Sequence, residues 1–331
     1  MRGNDTLTAI EGIAVGHFSD PENLTGCTVI RFPVEGVAAG VDVRGSAPGT
    51  RETDLLNPVN VVERIHALVL SGGSAYGLDA ACGVMRRLEE EGVGLDTGGG
   101  ILVPIVPAAV LYDLTAGKSS VRPNAQNGYE ACGAANPGPV PQGNVGAGTG
   151  ATVGKVMGME RAIKGGLGSA AVTLSGGTCV AVLIAVNAVG DVRDPGTGCI
   201  LAGTRGDREG EFLDSERLLR ERSELTLFAG TSTSVAVVAV SAPFSKTQLT
   251  KIAQMAHDGM ARAIRPSHTM YDGDTVFAVS VPGGGEEATL DVSVAGSIAA
   301  EVLAEAVVRG VAAAESLGGF PCSAEWQEGR A

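Results

Sequence analysis

Residues 225–240, LTLFAGTSTSVAVVAV, run from a small, hydroxyl-rich turn into an apolar stretch without a break, and Asp272-Gly273-Asp274-Thr275 follows downstream. The segment 235–240 has the length and β-branched bias of a buried strand. Thr233 stands at its mouth, and branching at Cβ restricts χ1, so the hydroxyl oxygen can be held in line with the carbonyl of Ser232. Attack on that carbonyl would turn the amide into an ester. Hydrolysis would then cut the chain and leave Thr233 with a free α-amino group, whose pKa of about 8 suits a base for its own hydroxyl. Asp272 and Asp274 are the candidate carboxylates that serve it. One residue apart in a regular strand they would face opposite ways, so both can meet Thr233 only from a turn, which Gly273 permits. The same residues also read as an ordinary Ser/Thr turn before a strand and a solvated Asp-Gly turn.

The 331 residues carry a net charge of -13 and 44% hydrophobic residues, with 49 glycines and only 4% aromatics. A core of Val, Ala, Leu and Ile packed closely on a backbone that turns often follows from that composition, and the class is α/β. The acidic balance, without a Lys/Arg cluster, excludes a nucleic-acid partner. Six scattered cysteines with no CxxC pair predict reduced thiols. An amino-terminal MRGNDTLTAI without an apolar signal core, and apolar runs too short for a bilayer, predict a cytoplasmic protein with no membrane segment.

Strand patterns occupy residues 27–32, 36–44, 66–70, 101–106, 169–174, 179–186 and 277–281. The turn Ser175-Gly176-Gly177 joins two of them as a hairpin. Helical spacing covers 78–90, 246–264 with Ser245 as cap, and 297–317, with a helix-like patch at 128–135 and a charged, helix-compatible segment at 212–224. Residues 46–57 and 194–211 read as loops, the former suited to contact with a site. Ser74, after a strand and a glycine turn, lacks the second glycine of a nucleophile elbow, and no phosphate-binding loop is present. The Gly-rich run 143–155, GNVGAGTGATVGK, lacks the flanking strand and helix of a dinucleotide site.

That run, together with KGGLGS, VAVNAVGDV, AQMAHDGMARAIRPSHTMYDGDTVFAV and the hydroxyl turn before VAVVAV, resembles the DmpA-type aminopeptidase family, in particular its nylon-oligomer (6-aminohexanoate-oligomer) hydrolase branch. The resemblance implies an amino-terminal-nucleophile hydrolase with a four-layer αββα sandwich, made as one precursor that cuts itself. Here it implies one hydrolase unit over 1–331, cleaved between Ser232 and Thr233 into 1–232 and 233–331. Thr233 would be the nucleophile, Asp272 and Asp274 the pair that orients it, Lys155 the lysine near it, and Asn187 the amide that stabilises the oxyanion. Gly148 and Lys164 are candidate substrate-binding residues; Lys164 could equally replace Lys155 or serve as a surface or backbone-positioning charge.

The family typically has Asn where this chain has Ser232, which leaves Thr231 open as an alternative cut site. Substrates implied are small peptides, amino-acid amides or linear 6-aminohexanoate oligomers, with no metal or organic cofactor and a homo-oligomeric (tetrameric) assembly. Acyl transfer of the ornithine acetyltransferase type, and an unprocessed non-catalytic protein, are the alternatives.

Overall fold

The computed structural model describes residues 3–221, 232–282 and 290–328. The strand Val235–Val240 is buried along its whole length. It pairs antiparallel with Cys179–Val186, Ala185 facing Val235. On its other edge it runs parallel to Thr275–Ser280, Val235 level with Thr275. A parallel pair needs a crossover, and the helix Lys246–Ala263 supplies it. Gly166–Thr173 and Ala38–Val43 complete this sheet at its two edges.

Side chains alternate across a strand, and here each set has its own layer. Val235, Val237 and Ala239 point into a core shared with Val15, Ile30, Leu68 and Leu70 of a second sheet. That sheet has the order Ala14–Asp20, Thr25–Arg31, Ala67–Ser71, Ala108–Val110, Gly49–Arg51. Ala236, Val238 and Val240 point the opposite way, into a core with Leu249, Ile252 and Met260 of the crossover helix and Leu303 and Val307 of the helix Val292–Ala312. On the outside of the second sheet, Cys27, Val29 and Val69 pack on Ala81, Val84 and Leu88 of the helix Ala80–Glu90 and on Ala131 of the helix Ala125–Gly133. The result is the αββα sandwich expected from the sequence. Small side chains let the layers close: a Cβ on Gly259 would lie 2.0 Å from the Ala300 carbonyl oxygen, so the two outer helices touch backbone to backbone.

The hairpin forms as read, Gly166–Thr173 against Cys179–Val186. Ser245 and Gln248 make a reciprocal capping box, so the crossover helix begins where the cap predicts. Other elements are displaced from their predicted positions. The last long helix spans Val292–Ala312 instead of 297–317, because Asp291 accepts from the N–H groups of Ser293 and Val294 and starts it earlier. Within 101–106 only Leu102–Val103 is a strand, and the sheet takes up Ala108–Val110 instead, since Pro104 and Pro107 donate no ladder hydrogen bond. The loop 46–57 contains the edge strand Gly49–Arg51, and 194–211 contains Ile200–Ala202. Of 212–224, Ser215–Arg220 is helical, and the rest beyond residue 221 lies outside the described residues. Among the described residues no helix is long and apolar enough to cross a membrane.

Leu183 is fully buried between the sheets. Leu183→Ala is expected to lower the unfolding free energy by about 2–5 kcal/mol, read from denaturant midpoints at unchanged slope. A loss under ~0.5 kcal/mol would contradict the close packing of the two sheets.

Candidate active site

The parallel pairing of the two central strands extends beyond their ends into the turn 272–274. Ser232 bridges Asp272, and the Thr275 N–H donates to the Ser234 carbonyl at 3.2 Å. This sets Gly273 directly against Thr233. The Gly273 N–H points at two oxygens, the Ser232 carbonyl at 3.1 Å and Thr233 Oγ1 at 3.2 Å. Thr233 Oγ1 in turn donates to the Ser232 carbonyl oxygen at 2.7 Å. A Cβ on Gly273 would stand 2.8 Å from Thr233 Oγ1 and 2.6 Å from the Ala47 carbonyl oxygen, so only glycine fits the approach. Ser232, Thr233 and Ser234 are all buried. Thr231, the alternative cut position, lies outside the described residues.

The two aspartates are brought to this turn but neither hydrogen-bonds Thr233 itself. Asp274 Oδ1 accepts from the Ser234 N–H at 2.8 Å, while Oδ2 accepts from the His268 N–H at 3.1 Å and lies 2.9 Å from His268 Nδ1. Asp272 Oδ2 accepts from the N–H and Oγ1 of Thr269 at 2.8 and 2.7 Å. Burial, and then the charge of Asp274, push the Asp272 carboxyl up to about 7.

Asn187 lies just past the end of the antiparallel neighbour, on the same edge of the site. Its carbonyl accepts the Thr233 N–H at 2.7 Å, and its own N–H reaches Ser234 Oγ at 3.3 Å. The side-chain Oδ1 accepts from Lys155 Nζ at 2.7 Å and from the Thr152 N–H at 3.1 Å; Nδ2 donates to the Tyr112 carbonyl at 3.1 Å. Lys155 is therefore the lysine that joins this group. Lys164 does not reach Asn187: its Nζ donates to the carbonyls of Thr149 and Ala151 at 2.8 and 2.9 Å, a backbone-positioning contact inside the Gly-rich loop. Gly148, in the same loop, is buried against the backbone of Leu167.

Thr233 opens on a cavity of about 210 Å³ whose other walls include Pro48, Ser74, Ala75, Leu111 and Tyr112. None of its described lining residues is charged. The loop 46–57 thus does contact the site. Ser74 and Tyr112 went unassigned in the sequence; the only trace of Ser74 was the strand, glycine turn and helix around it, and it sits at φ 54°. His268, at φ 57°, also gave no separate signal within its motif.

Burial lowers Lys155 to about 7, against the pull of Asp272, Asp113 and Asp274, and lowers Lys164 to about 7 against Asp113. Asp113, which accepts from Thr25 Oγ1 and the Gly73 N–H, is raised to about 6 by burial. The αββα sandwich thus places a threonine at the mouth of its central strand, facing a cavity. The chain belongs to peptidase family S58, whose model matches residues 5–323. A Mycobacterium tuberculosis protein named as an uncharacterized aminopeptidase is 44% identical over 345 residues, 96% of each chain. A 6-aminohexanoate-oligomer endohydrolase of Kocuria sp. is 32% identical, covering 93% of this chain and 86% of its own. Among solved structures, the L-aminopeptidase D-Ala-esterase/amidase of Ochrobactrum anthropi, described as a variant of the Ntn hydrolase fold, superposes with a TM-score of 0.71 at 20% identity, over 96% of this chain and 88% of its own. That likeness establishes the shared fold.

The buried lysines set a pH dependence of stability. In the unfolded chain each holds its proton up to about 10.4, whereas the folded protein releases it near 7, so unfolding takes up protons between those limits and stability rises with pH there. Lys164→Met should flatten the rise in denaturant midpoint between pH 7 and about 9.5. An unchanged slope would contradict burial of an unfavourable charge at that position.

Proposed function

We propose that Thr233 is the nucleophile of a self-processing amide hydrolase, formed by cleavage of the Ser232–Thr233 bond into chains 1–232 and 233–331. The observation that carries this reading is the placement of Thr233 Oγ1 beside the Ser232 peptide, where it donates to the carbonyl oxygen at 2.7 Å while the Gly273 N–H reaches both oxygens. Attack by Oγ1 on the Ser232 carbonyl carbon moves negative charge to the oxygen, where the Gly273 N–H at 3.1 Å is already aimed. Collapse expels the Thr233 nitrogen, which takes up the hydroxyl proton, and leaves Ser232 as an ester on Thr233 Oγ1. Water then hydrolyses the ester, giving a carboxylate on Ser232 and a free amine and hydroxyl on Thr233.

In turnover the new amine accepts the Thr233 hydroxyl proton as Oγ1 attacks the substrate carbonyl, the leaving amine departs protonated, and water releases the acyl group from the ester. Asn187 supports the oxyanion role carried over from the family. Its Nδ2 has two hydrogens, one of them spent on the Tyr112 carbonyl, and the second is the donor for the substrate oxyanion. Lys155 fixes the flip of that amide by donating to Oδ1. Asp272 and Asp274 orient the turn that faces Thr233, and Lys164 and Gly148 serve by shaping the Gly-rich loop. The reaction uses no cofactor in this reading.

The substrates best supported are amides with a small acyl part, among them small peptides, amino-acid amides and linear 6-aminohexanoate oligomers. They match the names of the relatives and the small volume of the cavity beside Thr233. Thr233→Ala should abolish hydrolysis of L-alanine p-nitroanilide and of the 6-aminohexanoate trimer. Asn187→Ala should lower kcat by about 10²–10³ with little change in KM, as loss of one oxyanion donor does. Turnover that persists in Thr233→Ala would overturn the assignment.

A further inference from the structure

Behind the aspartate pair lies a histidine arrangement that the reaction scheme above does not use. His268 meets Asp274 Oδ2 with both its backbone N–H, at 3.1 Å, and its ring Nδ1, at 2.9 Å. With the Ser234 N–H on Oδ1, Asp274 is gripped on both oxygens. Asp272 is held on Oδ2 alone, and among the described residues nothing hydrogen-bonds its Oδ1. The grip is costly to build. His268 is a non-glycine residue in the left-handed region, at φ 57°, and its ring stands edge-on to His257, centroids 4.8 Å apart. Backbone strain is held here by an edge-on ring contact and by two hydrogen bonds to Asp274, which fix the direction of this imidazole.

We propose that His268 is a positioning residue that clamps Asp274, and so leaves Asp272 as the carboxylate of the pair that takes the proton from the Thr233 ammonium formed during attack and hands it to the departing amine. The inference rests on the reading of Thr233 as nucleophile. The charged and titratable groups around the His268 ring are Asp274 and Asp272 from its own turn and His257 from the crossover helix. Behind His257 stands Asp42 of the strand Ala38–Val43, which is itself paired to Arg44. Burial works against a charged His268 ring, but Asp274, aided by the His257 carbonyl and Asp272, overcomes it and raises the pKa above the ordinary histidine value. His257, buried beside it, is held down to about 4, so it adds no competing charge at neutral pH. Asp272 is raised by burial and by Asp274 and pulled down by the Thr269 hydrogen bonds and by Lys155 of the Gly-rich loop; a cationic His268 also favours its ionised form, and without it Asp272 ionises at higher pH.

His268→Asn, which tolerates the left-handed backbone and keeps a neutral donor, and His268→Ala test this on L-alanine p-nitroanilide, with Thr233→Ala as control. For His268→Asn we expect kcat reduced about tenfold and for His268→Ala about 10²-fold, KM within about twofold, and the acid limb of the kcat profile moved to higher pH. Thermal midpoints and circular dichroism establish which variants are folded. If His268→Ala does not fold, His268→Asn decides alone. A folded variant with wild-type kcat and an unmoved acid limb overturns the proposal. So does a loss of kcat with no shift of the limb, which would reveal a purely structural histidine. If Thr233→Ala is inactive while His268→Asn behaves as wild type, this inference fails and the nucleophile stands; if Thr233→Ala is active, the nucleophile assignment fails first.

Discussion

The parallel register between Val235–Val240 and Thr275–Ser280 is the constraint on which both core and site depend. In a strand buried on both faces, a slip of one residue would send every side chain into the opposite layer. The alternation of 235, 237 and 239 against 236, 238 and 240 between two separate cores forbids it. The same register, carried two and three residues further, lays Gly273 against Thr233 and Ser232 beside Asp272. On the other edge, the pairing of Ala185 with Val235 brings Asn187 to the same end of the sheet. The packing energy of an all-aliphatic strand therefore sets the distance between a hydroxyl and the carbonyl it faces.

Around that point the protein buries charge in an interior of small aliphatic side chains. Lys155, Lys164, Asp113, Asp272 and Asp274 are all shielded from water, and each is hydrogen-bonded to backbone or side-chain partners. Low local dielectric makes such groups costly one by one and strongly coupled together. Its consequence here is that several of them titrate close to neutrality, where acid–base chemistry on an amide operates. The lysines divide the labour by reach: Lys155 serves the Asn187 side chain, and Lys164 ties down the backbone of the loop that frames it.

How far the sequence disclosed this follows from what each signal encodes. An unbroken run such as 235–240 has one stable location, the centre of a sheet covered on both sides, and the capping pair Ser245 and Gln248 announces the helix behind it. The αββα layering was legible, and so was the grouping of Thr233 with the Asp-Gly-Asp turn, Asn187 and Lys155 in one place, several of these only with the family resemblance beside the residues. What was not legible depends on contacts between distant segments. Pro48, Ser74 and Tyr112 meet at the cavity from three stretches with no common period. Gly49–Arg51 and Ala108–Val110 are too short to show alternation. The last helix was misplaced because its face pattern outlasts its true end, while the signal at its start, the Asp291 cap, lies outside that pattern. His268 was hidden because a histidine beside a DxD motif declares nothing until the carboxylate it grips is known.

The central claim, that the geometry at Ser232 and Thr233 leads to cleavage there, is tested most directly by the intact mass of the purified protein under denaturing conditions, with amino-terminal sequencing of the smaller fragment. The account predicts two chains, the smaller beginning at Thr233 and reading TSVAVVAV. A single uncut chain, or a fragment beginning at any other residue, would contradict it.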